Sequence, residues 1–217
     1  ALFRLDRTQL QSQLNRLVKA KSSFSARAAR LEAERDGKKE LIFPDAIAAT
    51  IDAEIVAIAA EQTNDFLSGL NRHQTELAIL DQRVRALEES ITGVTAQKKA
   101  AEDQLAIVEE EIVRKKGLLD KGLTDRSQFA ALMRNQAELL GQTGAAASEI
   151  ARAKTQIVES RQQTERAITQ RVEQASKDLT EVRRQEADYD EQIFAARALL
   201  DRTVVTAPVD GIVIAMN

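Results

Sequence analysis

The sequence predicts an all-α chain: a long antiparallel coiled-coil hairpin, an extra helix pair at its N-terminal side, and short β segments at both ends. Three observations predict it. Apolar residues step by three and four through Leu77, Leu80, Val84, Leu87, Ile91, Val94, Ala101, Leu105, Val108, Ile112 and Leu119, and the rhythm restarts at Phe129 and runs to Leu200. Such spacing over many heptads marks a coiled-coil seam. Between the two runs lie Gly117, Gly122 and the pair Thr124–Asp125, residue types that stop one helix and start another. Two seams joined by a short turn fold back on each other. Finally, the 217 residues hold 2 prolines, 3% aromatics and 30% charged side chains, the profile of helices packed along thin seams.

Composition also excludes functions. The net charge of −3 is spread as mixed signs, with no basic face for nucleic acid. With no cysteine, a disulfide framework and thiolate metal sites are ruled out, and an oxidising compartment suits the chain. No stretch is apolar and long enough to cross a bilayer, and no signal peptide opens the sequence. The abrupt start at Ala1 and stop at Asn217 suggest a piece of a longer protein.

Taken in order, residues 1–5 read as the end of a strand, and Asp6 can cap a first helix. Leu10, Leu14, Leu17, Phe24, Ala28 and Leu31 give that helix an apolar stripe, interrupted by Lys21. It fails near Gly37, and residues 38–44 break the chain, since Pro44 lacks a backbone N–H and biases Phe43 away from helix. Asp45 then reads as the cap of a short alanine-rich helix to about Glu61, and Gln62–Asp65 offers a further capping site.

Length arithmetic sets the path. The descending helix, ~75 residues from about Asp125 to Leu200, spans about 112 Å. The first helix (~33 residues) and the run from Asn64 to Lys121 (about 57) together overshoot it, unless the ~17 residues from Asp45 to Glu61 run back down. The expected path is up, short down, long up, long down. A single helix from Asp45 to Lys121 would instead leave Ala1 far from Val204.

The descending seam runs Leu132, Leu139, Ala146, Ile150, Ala153, Ile157, and then Thr164, Ile168, Val172, Ala175, a stutter that locally unwinds the supercoil. Several seam positions are polar: Gln136, Thr143, Ser160 and Glu186. Either a half-solvated two-helix seam tolerates them, or the weak seam leaves surface for a neighbouring copy. Gly141 and Gly144 allow close helix approach or bending, and the sequence does not choose. After Leu200, β-branched residues broken by Pro208 and Asp210–Gly211 signal strand–turn–strand.

Nothing in the sequence carries enzyme chemistry: no catalytic residue, cofactor site or metal site is expected. Glu109, Glu110 and Glu111 are adjacent and fan around a helix, and no Ser-His-Asp set, P-loop or HExxH occurs. His73, the sole histidine, reads as a polar seam residue. The hairpin turn is different. Leu118, Leu119 and Leu123 cluster where no seam can bury them all, beside Arg114, Lys115, Lys116 and Lys121. Cations favour a helix C-terminus, which accounts for the lysines and less well for three leucines. A docking tip would use the leucines as anchors and Arg114 for directional hydrogen bonds.

The string RTVVTAPVDGIV near the C-terminus resembles the second half of the split lipoyl domain of periplasmic adaptor subunits, or membrane fusion proteins. ALFRLD resembles the end of the first half. LQSQLNRLVKAKSSFSARAARLEAERDG with its following FP, KGLTDRSQFAALMRNQAELLG and EIARAK look most like the haemolysin-D-type branch serving type I protein secretion. The resemblance implies residues 1–5 as the end of one lipoyl half, 6–200 as the helical hairpin with its tip at about 117–125, and 201–217 as the start of the second half. It implies a subunit of a roughly hexameric tube in the periplasm, anchored to the inner membrane of a Gram-negative bacterium. Its partners would be an inner-membrane ABC transporter, an outer-membrane TolC-like channel and an unfolded protein substrate. Adaptors of this kind often carry an Arg, a Leu and a Ser or Thr at the tip. Here Arg114 and Leu118 match, Thr124 comes one residue early, and Asp125 holds the expected place. Alternatives are a drug-efflux adaptor of the same architecture, against which the helix before Pro44 argues, and a structural coiled-coil scaffold, which would lack the TAPVDGIV segment.

Overall fold

The computed structural model describes residues 3–205. In chain order these form β1 (Phe3–Arg4), α1 (Thr8–Arg35), α2 (Asp45–Ala48), α3 (Ala53–Asp120), α4 (Arg126–Asp201) and β2 (Val204–Val205). The fold is an all-helical hairpin: α3 and α4, of 68 and 76 residues, are each unbroken and are joined by a short turn. Two compact units are distinguished: one comprises residues up to His73 together with those from Ile168 onward, the other Gln74–Ala167.

Helix boundaries follow local chemistry. The Asp6 carboxylate accepts the Thr8 N–H (2.9 Å), and Asp52 accepts that of Glu54 (3.0 Å), so aspartates satisfy first-turn donors of α1 and α3. At the end of α1, Gly37 adopts φ +64°. The Lys38 N–H reaches back to the Ala33 carbonyl (2.9 Å) and that of Gly37 to Glu34 (3.3 Å), the paired bonds of a Schellman cap.

In the unit containing α1, that helix lies between the two long ones. Lys21 pairs with Asp190 (2.6 Å), Arg183 with Glu32 and Ser25 with Glu186, while Phe24 stacks on Tyr189 at 5.3 Å. These pairings make α1 antiparallel to the last turns of α4. Lys19 reaches Glu54 (2.5 Å) and Arg30 reaches Gln62 (2.9 Å), so α1 runs parallel to the first turns of α3. Ala28 and Leu31 of the anticipated stripe pack on Leu179 and Val182. A second α1 face, with Ala26, packs against Ile47 and Ile55. The unit's β1 and β2 pair antiparallel, Phe3 with Val205 and Arg4 with Val204. The expected strand–turn–strand continuation through Asp210–Gly211 lies outside the described residues.

The extra helix pair is corrected to one helix and a single turn. Asp45 is the first residue of α2 rather than its cap, and the helix stops at Ala48 instead of Glu61. Thr50 and Ile51 are β-branched, and the Thr50 hydroxyl accepts the Asp52 N–H (3.3 Å), a local bond that competes with helix. Gln62–Asp65 is continuous helix within α3. The downward path nevertheless exists: residues 36–52 return from the end of α1 to the level of Lys19, mostly without helix. A nearly single helix from Ala53 to Asp120 therefore coexists with paired termini.

In the Gln74–Ala167 unit α3 and α4 run antiparallel, fixed by Arg161–Glu88 (3.1 Å) and Gln136–Glu109 (3.2 Å). The α3 seam is the one read from sequence, with Ala101 and Val108 packed on Leu139. Along α4 the stutter sits later than expected. Burial passes through Ser160, Thr164, Ala167, Arg171 and Ala175, leaving Ile168 and Val172 at 39% and 37% exposure. The heptad continues through an alanine and an arginine, so register set by the neighbouring helix overrides the choice of the bulkiest apolar residues.

Candidate docking site at the hairpin turn

The turn is built from two caps. Gly122 takes φ +69°, its N–H bonds to the Leu119 carbonyl (2.9 Å), and the Leu123 N–H to that of Leu118 (2.9 Å). This is a second Schellman cap, and it closes α3. Asp125 opens α4: its carboxylate accepts the Ser127 N–H (3.0 Å) and hydroxyl (2.6 Å). Those bonds, the hydroxyl's first, hold its pKa below the ordinary aspartate value. Lys115 spans the turn, donating to Gln128 Oε1 (2.8 Å) and, more distantly, to Thr124 Oγ1 (3.5 Å).

Next to the turn the two helices enclose an open groove of about 560 Å³. Glu111, Arg114, Lys115 and Leu118 line it from α3; Gln128, Ala131, Leu132 and Asn135 line it from α4. Each set has helical i, i+3, i+4, i+7 spacing and presents one face. Of these, Leu118, Ala131 and Leu132 are apolar, and the others bring both signs of charge and two amides. Arg114 meets Glu110 only at 3.6 Å, with both side chains largely solvated, so its guanidinium is weakly held.

The six residues singled out in the sequence separate into three groups. Arg114 and Leu118 share the groove. Leu119 is half-buried, whereas Leu123 is 71% exposed beyond the cap. Thr124 and Asp125 have structural work, Thr124 as a partner of Lys115 and Gln128 (3.4 Å), Asp125 as the cap of α4. The α4 contribution, Gln128 and Asn135, was not anticipated. Its signal was available in the same helical spacing read on the far side of the turn.

A pair of long helices folded back on a capped turn, with an open groove of mixed lining beside it, defines a helical-hairpin protein. The model of the AprE long alpha-helical hairpin family matches residues 10–199, and the chain belongs to that family. The type I secretion system membrane fusion protein PrsE of Rhizobium meliloti (strain 1021) is 31% identical over 97% of this chain. The match covers 48% of PrsE, so the chain spans about half the length of that relative. In fold, the crystal structure of the soluble domain of LipC, a membrane fusion protein of a type I secretion system, superposes with a TM-score of 0.88 at 23% identity. That match covers 97% of this chain and 99% of the other. Among the described residues no helix is long and apolar enough to cross a membrane.

Proposed function

We infer that this chain is the helical hairpin of a periplasmic adaptor for type I protein secretion, with a mechanical, non-enzymatic role. It would join an inner-membrane ABC transporter to an outer-membrane TolC-like channel while an unfolded protein substrate passes through. The observation that carries the reading is the groove beside the turn, where Arg114 and Leu118 converge with Gln128 and Asn135 on an exposed helix pair. Family membership and the similarity to a type I secretion membrane fusion protein support it. The tip set is Arg114, Leu118, Leu119, Leu123, Thr124 and Asp125, of which Leu118 and Leu123 are free apolar anchors. The β1–β2 pair supports residues 1–5 and 201–217 as the edges of a split lipoyl domain, with residues 6–200 as the hairpin inserted into it. In the assembled machine the hairpins stand side by side, about six to a ring. An anchor outside this sequence would hold them to the inner membrane.

The test is secretion by cells carrying Leu118→Ala or Arg114→Ala in the full-length protein. Both side chains are solvent-facing, so helix content and melting should be unchanged while export of the cognate substrate is lost. Normal export by both variants removes the docking role. A drug-efflux adaptor is the second reading. The α1 helix and its Pro44-containing return, packed on both long helices, favour the secretion branch.

A further inference from the structure

We propose that Lys115 is a positioning residue for docking. It takes up the side-chain oxygen of Gln128, so that Gln128 offers the groove only its amide N–H groups, which act with the Arg114 guanidinium on the unpaired backbone carbonyls at the end of a partner helix. This rests on the docking reading of the groove and adds to it the polarity of the hydrogen bonds and the kind of surface that fits them.

Two local preferences are set aside at this place. Glu111 lies one turn before Lys115, the i, i+4 spacing at which a glutamate and a lysine pair on a helix. Lys115 instead crosses to α4 and donates to Gln128 Oε1 at 2.8 Å, and among the described residues Glu111 forms no ion pair. Gln128 is the third residue of α4, with Asp125 as the cap. A glutamine at that position ordinarily turns its side chain back to the backbone N–H of the cap. Here its oxygen holds Lys115 and, more distantly, the Thr124 hydroxyl (3.4 Å). Side chains that forgo their local partners while the helix end is capped by other means mark a site shaped for something besides stability.

A glutamine amide carries one acceptor oxygen and an NH2 donor group. With the oxygen occupied, Gln128 is left as a donor, and it lines the groove. Arg114 donates by nature, and its nearest carboxylate, Glu110, stands at 3.6 Å with both side chains largely solvated. The partner surface must therefore supply oxygen acceptors, together with apolar groups for Leu118, Ala131 and Leu132. Glu111 decides which acceptors. A carboxylate without an ion pair in the same groove repels a second one and already offsets the charge of Arg114. Neutral acceptors remain, and the last four carbonyls of a helix are such a set, left unpaired by the helix itself. Their partial negative charge suits a guanidinium without the cost of a buried ion pair.

Variants of the full-length protein separate holding the turn from donating into the groove. Gln128→Glu keeps an acceptor for Lys115 and puts an acid in the first turn of α4, where the dipole favours it, but it has no N–H to give. Lys115→Met removes the bridge, and adding Gln128→Lys restores a donor without restoring the bridge. Gln128→Glu should leave helix content and melt at or above wild type, yet cut export of the cognate substrate about tenfold, the effect of one lost hydrogen bond. Lys115→Met should lower export, and the double variant should recover most of that loss, which a merely structural bridge would not allow. Wild-type export by Gln128→Glu, or a double variant no better than Lys115→Met alone, overturns the proposal. If Leu118→Ala and Arg114→Ala are still defective in either case, the docking reading stands; normal export by those two sinks that reading itself. The last arm follows the outer-membrane channel retained on the purified full-length protein. Retention lost in Gln128→Glu should stay lost at about 0.5 M salt, whereas its return would identify partner carboxylates and overturn the assignment to carbonyls.

Discussion

Two glycines five residues apart at the turn should respond in opposite directions to the same substitution. Gly122 has φ +69°, and a Cβ there would meet no atom within 4 Å. Crowding contributes nothing, and the cost of Gly122→Ala is the left-handed backbone itself, about 1–2 kcal/mol. The reduced freedom of the unfolded chain offsets ~0.4–1 kcal/mol of that, leaving a net destabilisation of about 0.5–1 kcal/mol. Gly117 lies within α3 and also faces open space, so Gly117→Ala gains helix propensity of roughly 0.5–1 kcal/mol. The two variants should differ by about 1–2 kcal/mol, or roughly five- to thirtyfold in local opening. Native-state amide exchange at Gly122 and Leu123, whose N–H groups bond to Leu119 and Leu118, reads that opening directly. Exchange slowed by Gly122→Ala, or quickened by Gly117→Ala, would refute the assignment of the turn as a glycine-dependent Schellman cap.

Other outcomes follow from burial and capping. Phe66, 1% exposed, should cost about 3–4 kcal/mol on truncation to alanine in a denaturant melt, whereas Phe194, 77% exposed, should cost almost nothing. Gly144→Ala, within α4 and facing open space, should raise the thermal midpoint through helix propensity of about 0.5–1 kcal/mol. The carboxylates of Asp6, Asp52 and Asp125 have pKa values lowered by hydrogen bonds from first-turn groups. Their contribution is complete above the unfolded aspartate value and is lost as pH falls through the lower folded values. Helix ends should hold at pH 5–7 and fray below about pH 4, as followed by amide exchange or circular dichroism. Asp125→Asn, which keeps an acceptor at the cap, should weaken that acid response at the start of α4.

The seams and the turn were legible because each rests on a local signal. Heptad spacing reports α3 directly, and Gly122 with Asp125 fixes where one helix ends and the next begins. The connection from Gly37 to Asp52 was legible only in its direction. Alanine-rich sequence after Asp45 favours helix by propensity, but Thr50 and Asp52 satisfy backbone N–H groups locally and stop it after one turn. The second face of α1 was missed because Ala26 and Ala33 are small, and an apolar pattern weighted by bulk passes over them. Ile168 and Val172 misled for the converse reason: they are large, yet the partner helix holds the register on Ala167 and Arg171. At the tip, the exposure of Leu118 and Leu123 was legible from composition, while the groove needed both helices in place.

The third helix changes how firmly the chain is held. Where α1 packs on the long helices, Ala26 is fully buried, and Leu31, Ala33 and Val182 are each 2% exposed. In the Gln74–Ala167 unit the small Ser160 is enclosed at 1% exposure, but the apolar seam residues Val94, Ala101, Val108, Ala153 and Ile157 keep 7–8%, since two helices cover a side chain from fewer sides than three. Burial removes apolar surface at about 25 cal/mol per Å², so the difference accumulates over several turns. Surface ion pairs such as Arg161–Glu88 do not make it up, being largely solvated. An isolated chain should therefore protect amides of α1 and of the α4 stretch around Val182 more strongly than those of α3 and α4 between Val94 and Ile157. Side-by-side packing of the hairpins in the proposed assembly would raise protection in the latter stretch selectively. Uniform protection along α4 in the isolated chain would mean that the two-helix seam is sufficient by itself, and would remove the energetic reason for side-by-side assembly.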